Sequence, residues 1–396
     1  MSRSLPTQVW LLALIQALAM SGGATMVLTG GIVGAELAPL ESLATLPVAL
    51  MIVGTACGVL PLTGAMRRYG RRKIFMLSSF VAASGALLAA FATAIAHFYL
   101  FLSASFVMGF CVAGFQQIRF AAIESAPAAL AAKATSTVLL GGLVAAVLGP
   151  ELASWGQTLL SRPFTGSFAL VAVTCVLCLV LFMRVEDSQV RDEEHVESAR
   201  SRWLIIRQPI FIVAVSTSVI GFALMSFIMT ATPVHMHVMN DFSLEQTKWV
   251  IQSHIIAMYL PSFISAWLIM RLGLRGVITC GLLVYTATML IGFWGAAWVS
   301  YWLALVMLGF GWNLLFLAGT VLLPRSYKPR ERFKVQGIHD FMVFGGQAVA
   351  ALSAGALLAL LGWQGLMQVS AIFIVLHVAT LLTQYLRLRG ISNATS

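Results

Sequence analysis

Few side chains inside the apolar runs of this chain can do chemistry. Glu151, His254 and Asp340, with His339 and His377 beside them, are the groups there that can take up and release a proton. An ionisable side chain at membrane depth costs about 2.5–3.5 kcal/mol on insertion scales, so each needs a partner or a watery cavity. Arg119 offers a guanidinium that can hold an anionic group, or pair with Glu124 five residues on. Gln16, Trp312, Asn313 and Gln347 place amides and an indole near the middle of their runs, which suits a cavity for a partly apolar organic molecule. Packing is the alternative role for Trp312 and Asn313.

Other candidates lead nowhere specific. His235 and His237 are two apart, with no carboxylate or cysteine cluster to complete a metal site. Cys175 and Cys178 form a C-x-x-C inside an apolar run, where they read as small core residues. No nucleophile–base cluster is visible, and no G-x-x-x-x-G-K-[ST] loop for ATP. The expectation is therefore no enzyme, no cofactor and no metal, with an ion gradient as the energy source.

The elements that must hold these groups are membrane helices. The chain is 60% hydrophobic and 10% charged, against about 25% charged in a soluble domain, and its mean hydropathy is +0.92. Crossing a bilayer takes roughly 20 apolar residues. Twelve such runs are predicted, at about 9–33, 43–66, 74–95, 99–125, 134–153, 166–183, 210–232, 248–270, 277–296, 301–323, 335–361 and 365–386. The first has no clear small-residue cleavage site after it and reads as a span, not a signal. The net charge of +10 suggests nucleic acid at first sight, but the cations sit in short loops. All 24 Lys and Arg except Arg162, Lys248 and the embedded Arg119 fall on one side, with both predicted termini. The positive-inside rule makes that side cytoplasmic.

The basic loop Arg67-Arg68-Tyr69-Gly70-Arg71-Arg72-Lys73 has an echo in Arg271-Leu272-Gly273-Leu274-Arg275. An offset of 203 residues carries Arg68 to Arg271, Gly70 to Gly273 and Arg72 to Arg275. Two related halves follow: residues 1–183, a polar linker at 184–208, and residues 209–396.

This pattern resembles the major facilitator superfamily. The loop after the second span reads Thr63-Gly64-Ala65-Met66-Arg67-Arg68-Tyr69-Gly70-Arg71-Arg72. It is similar to that family's G-x-x-x-D-R-x-G-R-R signature, with Thr63 for the leading Gly and Arg67 for the Asp. Gly149-Pro150 resembles the core of a motif of the family's antiporters, without the following Gly-Gly. The resemblance implies an all-α integral membrane protein of two pseudo-symmetric six-helix bundles, working by alternating access around a midplane cavity. It implies a cytoplasmic gate of Arg67, Arg68, Gly70, Arg71 and Arg72, with Glu124 pairing Arg68 or Arg71. Asp340 would pair Arg67, carry the coupling proton, or make a local contact. Helices five and eight are neighbours in the family, so Glu151 and His254 are expected to pair, either as a proton-coupling site or as a static contact. The implied function is proton-coupled transport of a small organic molecule across the inner (plasma) membrane by a monomer, leaning towards export. Uptake of a metabolite, vitamin or metal chelate is the alternative.

Overall fold

The computed structural model describes residues 5–127, 130–186, 202–295, 297–328 and 331–394. Every regular element among them is helical. The helices are α1 (Thr7–Leu37), α2 (Leu46–Tyr69), α3 (Arg71–Ala94), α4 (Phe98–Phe115), α5 (Ile118–Glu124), α6 (Ala131–Gln157) and α7 (Thr165–Phe182). There follow α8 (Arg202–Ile206), α9 (Pro209–Pro233), α10 (Leu244–Tyr259), α11 (Ser265–Trp294), α12 (Trp298–Leu322) and α13 (Arg332–Ala394). Only helices satisfy their own backbone groups where no water reaches, which is why apolar runs of this length fold this way.

Nine helical segments among the described residues are long and apolar enough to cross a membrane. The last, Val335–Arg387, is two crossings, because α13 is broken at Gly362. With α6 and the interrupted stretch from Leu244 to Leu272, the twelve predicted crossings are present.

Two compact units can be distinguished: Met1–Asp192 with Thr230–Gln252, and Glu193–Met229 with Ser253–Ser396. In the first unit α1 packs mainly on α6, α2 on α4, and α3 on α7 and α4. Lipid tails are as apolar as leucine, so close approach between small residues holds such pairs together. At Gly109 of α4, a Cβ would run into the backbone carbonyl of Met51, and Thr55 Oγ1 donates to the Gly109 carbonyl at 3.0 Å. Where α1 meets α6, a Cβ on Gly149 would lie 2.5 Å from Ala24 Cβ, and Thr25 Oγ1 donates to the Gly149 carbonyl at 2.8 Å.

In the second unit α11 packs on α12 and α13. Buried Tyr285 donates its hydroxyl to the Gly221 carbonyl at 2.7 Å, and the Trp363 indole donates to the Gly292 carbonyl at 3.0 Å.

The two repeat loops share a backbone device. Gly70 sits at φ 87°, ψ 151° between α2 and α3. Gly273 sits at φ 66°, ψ 170° between the eighth and ninth crossings. A single residue reverses the chain in each, in a region open essentially to glycine alone.

Four local expectations change. The fourth crossing is not one helix to Ser125: it turns at Gln116–Gln117, and α5 starts afresh at Ile118. The eighth is interrupted by a 3-10 turn at Leu260–Phe263, because Pro261 cannot donate to the helix ladder. His235 and His237 lie in a π-helical turn, Val234–Val238, not in an outer loop. The end of the polar linker forms α8, whose Ile205 is buried with Phe211, Ala214, Val215, Leu323 and Val335. Residues 187–201 of the linker lie outside the described residues.

Candidate functional site

Glu151 does not pair with His254. In the first unit its Oε1 accepts from Lys248 Nζ at 3.0 Å and lies 3.4 Å from Gln252 Nε2. Gln252 Nε2 also donates to the Val147 carbonyl at 3.2 Å. Lys248 reaches Glu245 Oε2 as well, at 2.8 Å. Placed by sequence at the outer edge of its run, Lys248 is in fact buried. The signal in the sequence was its spacing, three residues from Glu245 and four from Gln252, which puts all three on one face of α10.

His254 turns the other way. In the second unit it is fully buried, and its Nδ1–H donates to the Leu305 carbonyl at 2.7 Å. Adjacency of two helices alone does not pair residues 151 and 254, because rotation about a helix axis decides which residue faces the neighbour. Lys248 and Gln252 share the face; His254, two residues beyond Gln252, does not.

Asp340 is half-exposed at its side chain, and His339 Nδ1–H donates to its Oδ1 at 2.9 Å. His339 itself is buried, and among the described residues no hydrogen-bond partner reaches its Nε2. The expected partner of Asp340, the side chain of Arg67, lies outside the described residues. His377 is 3.4 Å from Thr217 Oγ1 by its Nε2.

At the basic turn Glu124 meets Arg71 in a two-pronged pair. Nη2 lies 2.7 Å from Oε1 and Nε lies 2.9 Å from Oε2. Arg72 donates from Nη2 to the Met183 carbonyl at 2.6 Å, just beyond the C-terminus of α7. A cation there satisfies a carbonyl left open by the helix end. Arg68 lies over the Tyr69 ring at 5.3 Å, and Arg119 over the Phe120 ring at 4.8 Å.

The cavity candidates separate into two kinds. Asn313 is buried, and its Nδ2 donates to the Met258 carbonyl and Ser262 Oγ, both at 2.7 Å. It stitches α12 to the break at Pro261 and serves packing. Gln16, half-buried on α1, has a buried Oε1 without a hydrogen-bond partner among the described residues.

Trp312 belongs to an aromatic cluster in the second unit. Phe222 of α9 stands edge-on to Trp312 at 5.0 Å, to Phe316 at 4.9 Å and to Phe344 of α13 at 5.9 Å. Trp312 and Phe316 stack at 5.3 Å. Phe222, Phe316 and Phe344 are each half-buried, so the cluster keeps ring surface open. The Trp312 Nε1–H is buried with no acceptor among the described residues, and Gln347, beside Phe344, donates to Ser226 Oγ at 2.8 Å. The three phenylalanines were not singled out by sequence. Their signal is helical spacing: Trp312 and Phe316 are four apart, Phe344 and Gln347 three, Phe222 and Ser226 four.

Three comparisons bear on this arrangement. A model of the Major Facilitator Superfamily matches residues 9–247 and 225–391. The riboflavin transporter RfnT of Brucella anthropi is 37% identical over 357 residues, covering 89% of each chain. The uncharacterized MFS-type transporter YddS of Bacillus subtilis is 29% identical over 360 residues, covering 84% of this chain and 81% of its own. Among solved structures, the nucleoside transporter NupG superposes with a TM-score of 0.76 at 12% identity, over 96% of this chain and 99% of that one. A bacterial homolog of the human lysosomal transporter Spinster gives 0.72 at 14% identity, over 96% of each chain.

Proposed function

Because this chain belongs to the major facilitator superfamily, and is a multi-pass membrane transporter and not an enzyme, we propose that it carries riboflavin or a closely related flavin. The observation that carries the reading is the aromatic cluster of Phe222, Trp312, Phe316 and Phe344, with its unpartnered indole N–H. A flat heteroaromatic ring with carbonyl and ring-nitrogen acceptors matches that surface, since offset and edge-on ring contacts contribute about 0.5–1.5 kcal/mol each. The 37% identity to a riboflavin transporter over 89% of both chains supports the same class.

The direction we propose is uptake across the inner membrane, by alternating access, with the basic loops in the cytoplasm. The lean towards export rests on Gly149-Pro150 and on the scarcity of buried charge. Close packing of Gly149 against Ala24 and Thr25 accounts for that glycine without an antiporter role. The coupling proton is assigned to Asp340, with buried His339 as its hydrogen-bond partner. Glu151, held by Lys248, acts as a clasp, and the Arg71–Glu124 pair braces the cytoplasmic turn.

The test is flux of radiolabelled riboflavin in proteoliposomes under a pH gradient of either sign. Saturable uptake that Asp340→Asn uncouples from pH, while Glu151→Gln does not, is the expected result. No saturable flavin flux in either direction would overturn the assignment of substrate. Flavin flux indifferent to pH would overturn the coupling alone.

A further inference from the structure

A cleft of about 950 Å³ opens in the second unit, lined by parts of α9, α11, α12 and α13. Its walls are largely aliphatic, with Leu282, Leu283, Val378 and Leu382 among them, and Arg275 and Arg325 also line it. Both arginines are exposed, and Arg275 lies over the ring of Tyr385 at 4.7 Å. Two of the aliphatic residues, Leu283 and Leu382, are themselves 63% and 59% exposed. A cleft with an apolar interior, an apolar rim and two guanidiniums has the polarity of a phospholipid: acyl chain along the leucines, phosphate at the arginines.

The repeat shows that this space is particular to the second half. The 203-residue offset carries Arg72 to Arg275, Phe75 to Ile278 and Phe182 to Tyr385. In the first unit Phe75 and Phe182 are both fully buried and stack at 4.9 Å, and Arg72 is drawn onto the Met183 carbonyl. That corner is filled. In the second unit Ile278 replaces the ring of Phe75 and lines the cleft, which stays open.

We propose that this cleft is a binding site for one anionic phospholipid, phosphatidylglycerol or cardiolipin, drawn from the leaflet on the side of the basic loops. Arg275 and Arg325 hold the headgroup phosphate, and the aliphatic walls hold an acyl chain. Arg275 opens the helical stretch after the break at Gly273, and Arg325 lies in the 3-10 turn Leu323–Ser326; both are on the side that the positive-inside rule assigns to the cytoplasm, and anionic lipid is attracted to such basic sites.

Native mass spectrometry of the full-length protein, delipidated and then titrated with defined lipids, tests this. Phosphatidylglycerol should be retained well above phosphatidylcholine of the same chains. The double variant Arg275→Ala, Arg325→Ala should weaken phosphatidylglycerol binding about thirtyfold, the combined effect of two cations near a membrane surface. Ile278→Phe, which restores the first half's ring, should reduce lipid binding with both arginines intact. Equal retention of phosphatidylglycerol and phosphatidylcholine by the unaltered protein would overturn the proposal, whatever the variants do. So would glycerol phosphate competing as well as the whole lipid, since that would make the site one for a soluble anion.

Discussion

Replacing Glu151 by Gln tests how much the clasp with Lys248 contributes. The Lys248 side chain is 6% exposed and that of Glu151 27%, with Nζ 3.0 Å from Oε1. At that distance the Coulomb attraction is about 5.5 kcal/mol for an effective dielectric constant of about 20. Removing both charges from water costs several kcal/mol, which offsets most of that attraction. Glu245 remains on the ammonium at 2.8 Å, so Lys248 is not left alone. The net coupling should lie between that of a surface pair, at most about 1 kcal/mol, and the loss of about 3–5 kcal/mol on breaking a fully buried one. We expect about 1–2 kcal/mol. The assay is a double-mutant cycle of Glu151→Gln and Lys248→Met, read by equilibrium unfolding in mixed detergent micelles. The double variant should lose about 1–2 kcal/mol less than the sum of the singles. Additivity to within about 0.5 kcal/mol would refute the reasoning, because independent sites add to that tolerance.

Three further outcomes follow from the geometry. Gly109→Val should destabilise the α2–α4 contact by about 1–3 kcal/mol, the cost of overpacking, because its Cβ meets a backbone carbonyl that cannot move aside; a thermal unfolding midpoint no lower than that of the unaltered protein would contradict it. Gly273→Ala meets no neighbouring atom but must hold φ 66°, ψ 170°, so about 1–3 kcal/mol of stability should be lost from backbone strain alone, again read by unfolding. Trp312→Ala should raise the KM for riboflavin about two- to twelvefold, the equivalent of one aromatic contact, and should also cost about 3–5 kcal/mol of stability because the side chain is buried; an unaltered KM in the folded fraction would remove Trp312 from the site.

The crossings and the turns at Gly70 and Gly273 were legible in the sequence. A bilayer leaves little choice: a run of about 20 apolar residues must be a helix, and the cations between runs must stay on the wet side. Gly70 and Gly273 adopt the same glycine-only backbone at positions 203 residues apart. What the sequence left open was rotation and depth. A helix apolar on all sides has no face that announces its neighbour. That Lys248 and not His254 meets Glu151, and that Phe222, Phe316 and Phe344 gather round Trp312, was decided by how α6, α9, α10, α12 and α13 turn about their axes as they pack. The cleft beside Arg275 was hidden for the same reason. An isoleucine where the first half has a phenylalanine is an unremarkable change along the chain, and becomes a cavity only once four helices surround it.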